Sequence, residues 1–451
     1  FPFDAGSRVT TSITSGDVDG DTDGELIFGT EDGSLYVLNK DGSVYLEFTQ
    51  PDPIIGFPVL YDINGSEELN MIFISINDSS SNLHVISNEG DYIEGFPIAL
   101  EGELKYGSSV SDLDRDGVPD IVTPSEEGTL NVIESSGELM PGFPIHLSSN
   151  ITTPATIADM DGDDDLEVMV GTIDGHVHIL NHDGSIMQTY STDASICSGL
   201  SIADLDQDEL MEVVFNTADH LLHAWEPHSQ MELEGWPVDM GNESVTEPMI
   251  IDLNNDLNLE VISIAKDGFM NVIQYDGSSY DNFPYLSYDS TQFSPAIGDL
   301  DEDNDYEIIV GTNNNLKVLD ILDELGDQYS WNAYRGNTHR SGFYDSDLSY
   351  LRLVDDEIPF EFRLGNNYPN PFNPSTKIIF TIPENMQISV NVYDIMGRRV
   401  RTLVDRLHRP GNHYAEWSGV DQSGIKVSSG IYFYELRGEG LVETRKMLLI
   451  K

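Results

Sequence analysis

The residues of this chain that could do chemistry are concentrated in short acidic segments, and the clearest lies between Asp159 and Glu167. Positions 1, 3, 5, 7 and 9 of this segment are all acidic: Asp159, Asp161, Asp163, Asp165 and Glu167. Alternate residues of a tight loop point to the same side, so their oxygens converge. Converging carboxylates repel one another without a cation, and calcium takes roughly six to eight oxygen ligands. The segment therefore predicts a calcium-binding loop in which position 7 contributes its backbone carbonyl.

The acidic segment is one of seven copies. Their first positions are separated by 45, 50, 47, 45, 48 and 47 residues and are Asp17, Asp62, Asp112, Asp159, Asp204, Asp252 and Asp299. Aromatic residues recur with the same period, several of them in Gly-Phe-Pro or Gly-Trp-Pro: Phe1, Phe48, Phe96, Phe143, Tyr190, Trp236, Phe283 and Trp331. A period in the forties is typical of propeller blades. The repeats predict an all-β chain with a seven-bladed β-propeller over residues 1–343.

Six of the seven copies supply the predicted calcium ligands. These are oxygen-bearing side chains at odd loop positions: Asp17, Asp19, Asp21, Asp23 and Glu25; Asp112, Asp114, Asp116 and Asp120; Asp159, Asp161, Asp163, Asp165 and Glu167; Asp204, Asp206, Asp208 and Glu212; Asp252, Asn254, Asp256 and Glu260; Asp299, Asp301, Asp303, Asp305 and Glu307. The second copy ends at Asn70 without an acid, so we expect it to fold with little or no metal. The sixth copy is intermediate. We expect the ions to be structural, and a metal-free Asx-rich turn is the alternative.

One repeat shows the strands that must hold such a loop. In the fourth repeat, residues 153–159, 168–172 and 176–181 read as strands, and Asp174-Gly175 is a hairpin signal. A fourth, outer strand ends near Tyr190. Four antiparallel strands per repeat make one blade. The recurring aromatic residues are interpreted as packing between blades rather than as a carbohydrate-stacking ladder, because each occupies the same place in its repeat.

The charge of the chain divides unevenly. The net charge is −59, with 10 basic and 72 acidic residues before residue 365, and 11 basic and 8 acidic residues from 365 to 451. This change indicates a domain boundary. So acidic a first region argues against a nucleic-acid partner, because phosphates require Lys and Arg. Cys197 is the single cysteine, which excludes a disulfide within the chain, and no apolar run is long enough to span a membrane.

The pattern D-x-[DN]-x-D-x-x-x-[DE], placed ahead of a strand that ends in Gly-Thr, resembles the FG-GAP/VCBS repeat. That repeat forms the calcium-loop propeller of integrin α-chains and of many bacterial surface proteins. The resemblance covers residues 1–343 and is carried by seven copies in phase. It closes on Trp331-Asn-Ala-Tyr-Arg335, which resembles a terminal tryptophan motif found after such propellers and places Trp331 as the last aromatic of the series.

Beyond an acidic linker at 344–364, the composition changes. The motifs that follow are Asn367-Tyr-Pro-Asn-Pro371, Val390-Asn-Val-Tyr-Asp394 with Gly397-Arg398, Ser429-Gly430-Ile-Tyr432, and Lys446 to Lys451. Alternating strands broken by glycine turns predict a small β-sandwich over 365–451. The set is similar to the C-terminal sorting domain of type IX secretion cargo, which has an immunoglobulin-like fold. That resemblance implies contact with the secretion machinery and export to the cell surface or medium.

Other catalytic patterns are weak in this sequence. The pairs His176 and His178, and His220 and His223, lack any supporting zinc motif and are interpreted as packed or solvated. There is no nucleophile elbow or P-loop, and 80 acidic residues produce chance carboxylate pairs at any separation. We therefore expect a monomeric, non-enzymatic propeller that binds a surface protein or glycan.

Two alternatives remain open at this point. The propeller could accompany a secreted protease or polysaccharide-degrading domain encoded upstream, since the chain opens on Phe1-Pro2 and is expected to be a fragment whose signal peptide precedes it. A quinone-dependent dehydrogenase is less favoured, because the adjacent cysteine pair of many such propellers is impossible with Cys197 alone.

Overall fold

The computed structural model of the chain describes residues 3–344 and 362–450, with gaps. The gaps are residues 67, 78–79, 164, 209, 287–288, 292, 301–304, 314, 322–328, 332–333, 336, 338, 369–371, 373–374, 383–385, 409–410, 423–424 and 439–440. The chain divides into two compact units, Phe1–Arg352 and Leu353–Lys451. Most of the predicted linker, at 345–361, lies outside the described residues. Each unit is considered by itself below.

Every regular element that the structure describes is a β-strand, and those of the first unit form seven antiparallel sheets. The first three sheets contain β1 (Thr14–Gly16), β2 (Glu25–Gly29), β3 (Ser34–Leu38) and β4 (Val44–Thr49); β5 (Ile54–Tyr61), β6 (Asn70–Ile76), β7 (Ser80–Ile86) and β8 (Ile98–Glu101); and β9 (Ser109–Ser111), β10 (Asp120–Pro124), β11 (Thr129–Glu134) and β12 (Ile145–His146).

The remaining four sheets follow the same order. They contain β13 (Thr156–Ala158), β14 (Glu167–Gly171), β15 (His176–Leu180) and β16 (Ile186–Ser191); β17 (Ser201–Ala203), β18 (Glu212–Asn216), β19 (Leu221–Glu226), β20 (Met231–Glu232) and β21 (Val238–Asp239); β22 (Met249–Ile251), β23 (Glu260–Ile264), β24 (Phe269–Gln274), β25 (Tyr285–Leu286) and β29 (Tyr329–Trp331); and β26 (Ala296–Gly298), β27 (Tyr306–Gly311) and β28 (Leu316–Ile321).

The first strands of successive sheets lie together on the inside of the unit. Strand β5 contacts both β1 and β9, β9 contacts β13, and β17 contacts β22. Strands β9, β13, β17 and β22 are wholly buried, whereas the fourth strands β4 and β16 alternate between exposed and half-buried residues. Sheets whose first strands surround a common centre and whose last strands face solvent form a β-propeller. The predicted all-β propeller fold is confirmed.

The hydrophobic core lies between neighbouring sheets. In one cluster Val122 and Val132 of the third sheet pack with Val168 and Val170 of the fourth, and all four side chains are fully buried. Burial of one such aliphatic side chain is worth about 1.5–3 kcal/mol. Other clusters join the first sheet to the second, the second to the third, and the sixth to the seventh. The alternation of apolar residues along the strands thus determines which faces of neighbouring sheets pack together.

Glycine–aromatic–proline corners bring three of these sheets especially close to the next. A Cβ added at Gly95 would lie 2.1 Å from the Ser136 carbonyl oxygen, and one added at Gly235 would lie 2.0 Å from that of Asp276. At the third corner, a Cβ added at Gly142 would lie 2.4 Å from the Asp183 carbonyl oxygen in the next turn. Each glycine also has a positive φ, between 95° and 102°, where a side chain is unfavourable. The glycine of the corner is therefore required by contact with the next sheet.

The segment after the seventh sheet returns to the inner edges of the sheets. Strand β29, which contains Trp331, the last aromatic of the series, pairs with β22 at the inner edge of the sixth sheet. The backbone then reaches the inner strands of other sheets. The Leu60 amide donates to His339 O, Val110 to Ser341 O and Ile157 to Gly342 O, at 2.9–3.1 Å. The segment thus supplies hydrogen-bond partners for backbone amides of the inner strands.

A buried charge anchors this central segment. Arg335 has no solvent exposure, and its guanidinium donates to Glu247 Oε2 at 3.2 Å, to Ser109 Oγ at 2.9 Å and to the Ala155 carbonyl oxygen. The Arg335 amide donates to Glu247 Oε1 at 2.7 Å, and the guanidinium lies 5.6 Å from the Phe57 ring centre. One side chain thus joins residues that enter the inner strands of four sheets.

The second unit is a sandwich of two antiparallel sheets. One contains β30 (Arg363–Tyr368), β31 (Thr376–Ile382) and β34 (Gly411–Trp417); the other contains β32 (Met386–Asp394), β33 (Arg399–His408), β35 (Gly430–Gly438) and β36 (Leu441–Leu449). Leu364, Ile378 and Phe380 of the first sheet share a core with Val390 and Tyr434 of the second. The predicted β-sandwich is therefore present.

The central ion pair should be a main determinant of propeller stability. Glu247→Gln leaves the buried Arg335 charge without its counterion, so we expect the free energy of unfolding to fall by about 3–5 kcal/mol in urea titrations. The matched control is Glu243→Gln, which breaks a partly exposed pair with Lys266 (Nζ to Oε2, 2.7 Å) and should cost less than about 1 kcal/mol. Equal effects of the two substitutions would contradict a stabilising role for Arg335.

Candidate metal centres

The ninth residue of each acidic loop begins, or nearly begins, the second strand of its sheet. Glu25, Asp120, Glu167, Glu212 and Glu260 are the first residues of β2, β10, β14, β18 and β23. All are at most 3 % exposed, because the strand that carries them is buried on both faces. The sequence of the second strand thus holds a carboxylate inside the protein, directly below the loop.

One oxygen of the ninth side chain is used by the loop itself. In all seven copies it accepts a hydrogen bond from the backbone amide of the second loop residue, at 2.5–3.1 Å. Even Asn70, which replaces the acid in the second copy, accepts from the Ile63 amide at 3.0 Å. This closing bond explains why the loop folds in the same way with or without an acid at position 9.

The second oxygen of the ninth side chain faces other carboxylates. In four loops, positions 1, 3 and 9 bring one oxygen each to within 4.8 Å of one another. These groups are Asp17, Asp19 and Glu25; Asp112, Asp114 and Asp120; Asp159, Asp161 and Glu167; and Asp204, Asp206 and Glu212. In these four loops the acids at positions 1, 3 and 9 therefore lie close enough together to share one cation.

Two of these oxygens are buried without compensation. Glu212 is fully buried, and its Oε1 has no hydrogen-bond partner among the described residues, nor has the buried Oδ1 of Asp112. A buried, unpaired carboxylate oxygen is costly unless a proton or a cation compensates it. Accordingly, burial, with a smaller contribution from the neighbouring loop aspartates, raises the pKa of Glu212 to about 9 and that of Glu167 to about 8.

The backbone of the loop is shaped by its first and fourth residues. Asp17 accepts amide hydrogen bonds from Gly20, Asp21 and Thr22 at 2.8–3.1 Å, which wraps the loop around its carboxylate. In the six loops whose fourth residue is described, that residue has φ between 58° and 78°. Arg115 is among them, although this conformation favours glycine. Retention of the same turn without glycine shows how strongly the side-chain hydrogen bonds fix it.

Positions 5 and 7 differ from a simple convergent loop. Asp21, Asp116, Asp163 and Asp208 each accept a hydrogen bond from the amide two residues later, at 2.8–3.0 Å, and lie outside the three-acid groups. At position 7, Asp23 pairs with Lys40, and Asp165 Oδ2 lies 3.3 Å from His182 Nδ1. These six predicted ligands therefore contact backbone amides or neighbouring side chains.

The sixth and seventh loops depart from the others. In the sixth, Asp252 and Glu260 do not belong to a three-acid group, and Asn254 donates to Asp256 Oδ2 at 3.3 Å. In the seventh, the predicted Asp301 and Asp303 lie outside the described residues. The group found there combines Asp305 and Glu307 with Asp320, whereas Asp299 is not part of it.

Asp320 is a candidate ligand that the loop pattern missed. It lies in β28, directly opposite Glu307 of β27, thirteen residues along the chain. Only the register of the hairpin formed by β27 and β28 places it beside the loop. The signal available in the sequence was the two-residue periodicity of β28, which puts Asp320 on the same face as its partner.

The histidines do not form a metal centre in the described part of the chain. His84 stacks on Phe73 and hydrogen-bonds to Ser75 Oγ and Tyr92 Oη at 2.9 and 2.8 Å, and burial lowers its pKa to about 4. His223 likewise stacks on the Phe215 ring, and its Nδ1 lies 2.6 Å from Glu232 Oε1. Both imidazoles are packed within single sheets.

Comparison with solved structures gives similarity of fold. The chain resembles BBS1N, solved in complex with ARL6DN, with a TM-score of 0.50 and 14% identity over 70% of this chain and 92% of that one. It resembles Saccharomyces cerevisiae Sqt1 with a TM-score of 0.50 and 13% identity over 66% and 82%. For BamB from Moraxella catarrhalis the values are 0.48 and 13%, over 82% and 92%. At such identities only the fold is shared.

Comparison of sequences informs the C-terminal unit. No curated protein matches the chain. Within the described residues, no helix combines the length and hydrophobicity needed to cross a lipid bilayer. Residues 366–451 match the family described as the secretion system C-terminal sorting domain. This region is the sorting domain of the type IX secretion system, and the protein is exported through that system to the cell surface or the extracellular space.

Proposed function

We propose that residues 1–343 form a seven-bladed, calcium-stabilised propeller of the FG-GAP/VCBS type that binds a partner outside the cell without catalysing a reaction. The observation that carries the metal assignment is the buried Glu212 Oε1, which lacks a hydrogen-bond partner among the described residues and faces Asp204 and Asp206. Oxygen donors alone, without sulfur or imidazole, are the ligands that calcium prefers.

The arrangement suits a structural ion better than a catalytic one. Each group joins the loop after the first strand of a sheet to the first residue of the second strand. A cation held there would tie the two strands together and offset the charge of three carboxylates. The remaining coordination positions would be completed by backbone carbonyls and water. Asp159, Asp161 and Glu167, for example, would hold such an ion in the fourth loop.

The binding role follows from export and from the placement of the loops. A protein delivered to the cell surface or the medium meets millimolar calcium, polysaccharides and other surface proteins. In a propeller the first strands run in the same direction around the axis, so their loops share one rim. We infer that this rim and the grooves between blades contact a surface protein or glycan. We do not place the partner at the centre, because Arg335 contacts Glu247 and the Ala155 carbonyl oxygen there.

Removal of calcium should destabilise the propeller. Ligand bound to the folded state contributes RT ln(1 + [L]/Kd), about 2.7 kcal/mol per site at 100 Kd, so we expect a chelator to lower the melting temperature by at least about 5 °C. Asp159→Asn should reduce this calcium-dependent shift. The matched control is Asp62→Asn, the same change at the first position of the loop that ends in Asn70, and it should leave the shift unchanged.

The metal assignment would be contradicted by a melting temperature that is the same in calcium and in chelator. It would also be contradicted by equal effects of the two asparagine substitutions, since among the described residues only the loop of Asp159 contains a three-acid group. Both side chains accept backbone hydrogen bonds, and asparagine retains an acceptor oxygen, so the pair isolates the charge.

Calcium binding should release protons at pH 7. Burial raises the pKa of Glu212 from 4.5 to about 9, so the metal-free carboxyl is protonated at pH 7 and must lose its proton to bind a cation. A raised pKa stabilises the metal-free fold below pH 4.5, and that contribution is lost as pH rises through about 9. Calcium affinity should accordingly fall as pH decreases from 8 to 6.

Calorimetric titration in two buffers of different ionisation enthalpy measures the released protons. We expect the apparent binding enthalpy to differ between the buffers, and the difference to shrink in Glu212→Gln. An apparent enthalpy that does not depend on the buffer would show that the carboxylates are already ionised before calcium binds.

The binding role is tested by capture of surface extracts on the immobilised full chain, in calcium and in chelator. We expect specific retention of a surface protein or glycan in calcium and its loss in chelator, with no chemical change of the retained molecule. Turnover of a polysaccharide or of a quinone-linked dye by the purified chain would overturn the non-enzymatic assignment.

A further inference from the structure

The corner between the sixth and seventh sheets breaks the rule that the other corners follow. Four corners share one turn, in which the aromatic amide donates to the carbonyl oxygen three residues earlier at 3.1 Å; the aromatic residues are Phe96, Phe143, Trp236 and Phe283. Three of these turns have glycine before the aromatic residue. The fourth has Asn282, which keeps the left-handed conformation with φ of 67°.

The asparagine occupies a place where the other corners have no room for a side chain. Each of the three glycine corners lies within 2.0–2.4 Å, measured from an added Cβ, of a carbonyl oxygen in the next sheet. At the Asn282 corner a cleft of about 460 Å³ lies between described residues of the sixth and seventh sheets. One wall is formed by the corner itself and by Tyr285 of β25, and the opposite wall by Leu319, Asp320 and Ile321 of β28.

The cleft is also richer in aromatic residues than the equivalent corners. Tyr280 stands where they have an aliphatic side chain, namely Ile93, Met140 or Leu233, and Tyr285 stands where they have Ile98, Ile145 or Val238. Tyr280 is buried and packs edge-on against Phe283, with ring centres 6.2 Å apart, so these two rings form the floor. Tyr285 is 40% exposed and stands at the edge.

Polar side chains surround this aromatic floor. Asp281, Asn282 and Asp320 are all exposed and all line the cleft. Carboxylate and amide groups form paired hydrogen bonds with adjacent hydroxyl groups, and aromatic rings pack against apolar C–H faces. A concave site with aromatic walls and a few polar groups is the usual composition of a small-molecule site. A polyhydroxylated, uncharged ligand with one apolar face matches both the aromatic walls and the polar groups of the cleft.

We propose that the cleft between β25 and β28 binds a neutral sugar residue of a glycan, which stacks on Tyr285 and hydrogen-bonds to Asp281 and Asn282. This inference rests on the proposed binding function and gives it a site and a ligand class. An anionic sugar would be repelled by Asp281. A purely apolar ligand would leave the hydrogen-bonding groups of Asp281 and Asn282 unused.

The test uses the full chain in calcium and an array of polymer-linked D-mannose, D-galactose, D-glucose, L-fucose and N-acetyl-D-glucosamine. We expect at least one conjugate to bind, and titration calorimetry with that conjugate to give its affinity. Tyr285→Val, the residue found at the neighbouring corner, removes the stacking ring and should weaken binding by about tenfold or more. Asn282→Gly removes a side-chain amide that lines the cleft and should weaken binding similarly.

Matched controls keep the outcome interpretable. Tyr45→Val replaces another exposed tyrosine, 37% accessible on β4, and should bind like the unmodified chain. Melting temperatures of all variants establish that they are folded. Failure of every conjugate to bind, or equal affinity of folded Tyr285→Val and Asn282→Gly with the unmodified chain, would overturn the cleft assignment. Calcium-dependent capture of a surface protein would still support the proposed function, so the two failures are distinguishable.

Discussion

The structure depends on a carboxylate held where water cannot neutralise it. The ninth residue of each acidic loop is fixed inside the sheet by the strand that it begins, and it must also accept a hydrogen bond from the loop above. In the loop ending at Glu212, the other oxygen then faces Asp204 and Asp206 at short range. Only a proton or a cation can offset this concentration of charge, since burial has removed the screening by solvent. The acidity of the repeats and the architecture of the blade are therefore linked, because the strand that builds the blade also buries the carboxylate.

Buried polar groups also require partners at the centre of the propeller. Seven similar sheets leave the edges of their first strands facing one another, and unpaired backbone amides there require partners. The segment that carries Arg335 supplies them by donating and accepting across several sheets, and its guanidinium is in turn neutralised by Glu247. At three outer corners, neighbouring sheets are instead held together by a glycine that packs against a turn of the next sheet. Where Asn282 stands in place of that glycine, the side chain lines a cleft.

Much of this could be predicted from the sequence because it repeats. Seven in-phase copies predicted the sheets, the loops and a convergence of acidic side chains at odd loop positions, of which positions 1, 3 and 9 lie close together in four loops. The break in composition near residue 365 preceded the sandwich. What could not be predicted depends on contacts between distant parts of the chain. Asp320 joins its acidic group through hairpin register, Arg335 meets Glu247 across 88 residues, and the strand containing Trp331 pairs with β22. In four loops the side chain at position 5 also accepts a hydrogen bond from the backbone amide two residues later, a local contact that the spacing of the acids does not reveal.

The central claim is that the acidic loops hold calcium, and the metal content of the purified chain tests it most directly. After exhaustive dialysis against calcium-free buffer following calcium loading, elemental analysis should find calcium at a stoichiometry near one ion for each of the four loops with the 1, 3, 9 group. Glu212→Gln should lower that number by one. A chain that retains no calcium in this measurement, yet is folded, would contradict the account.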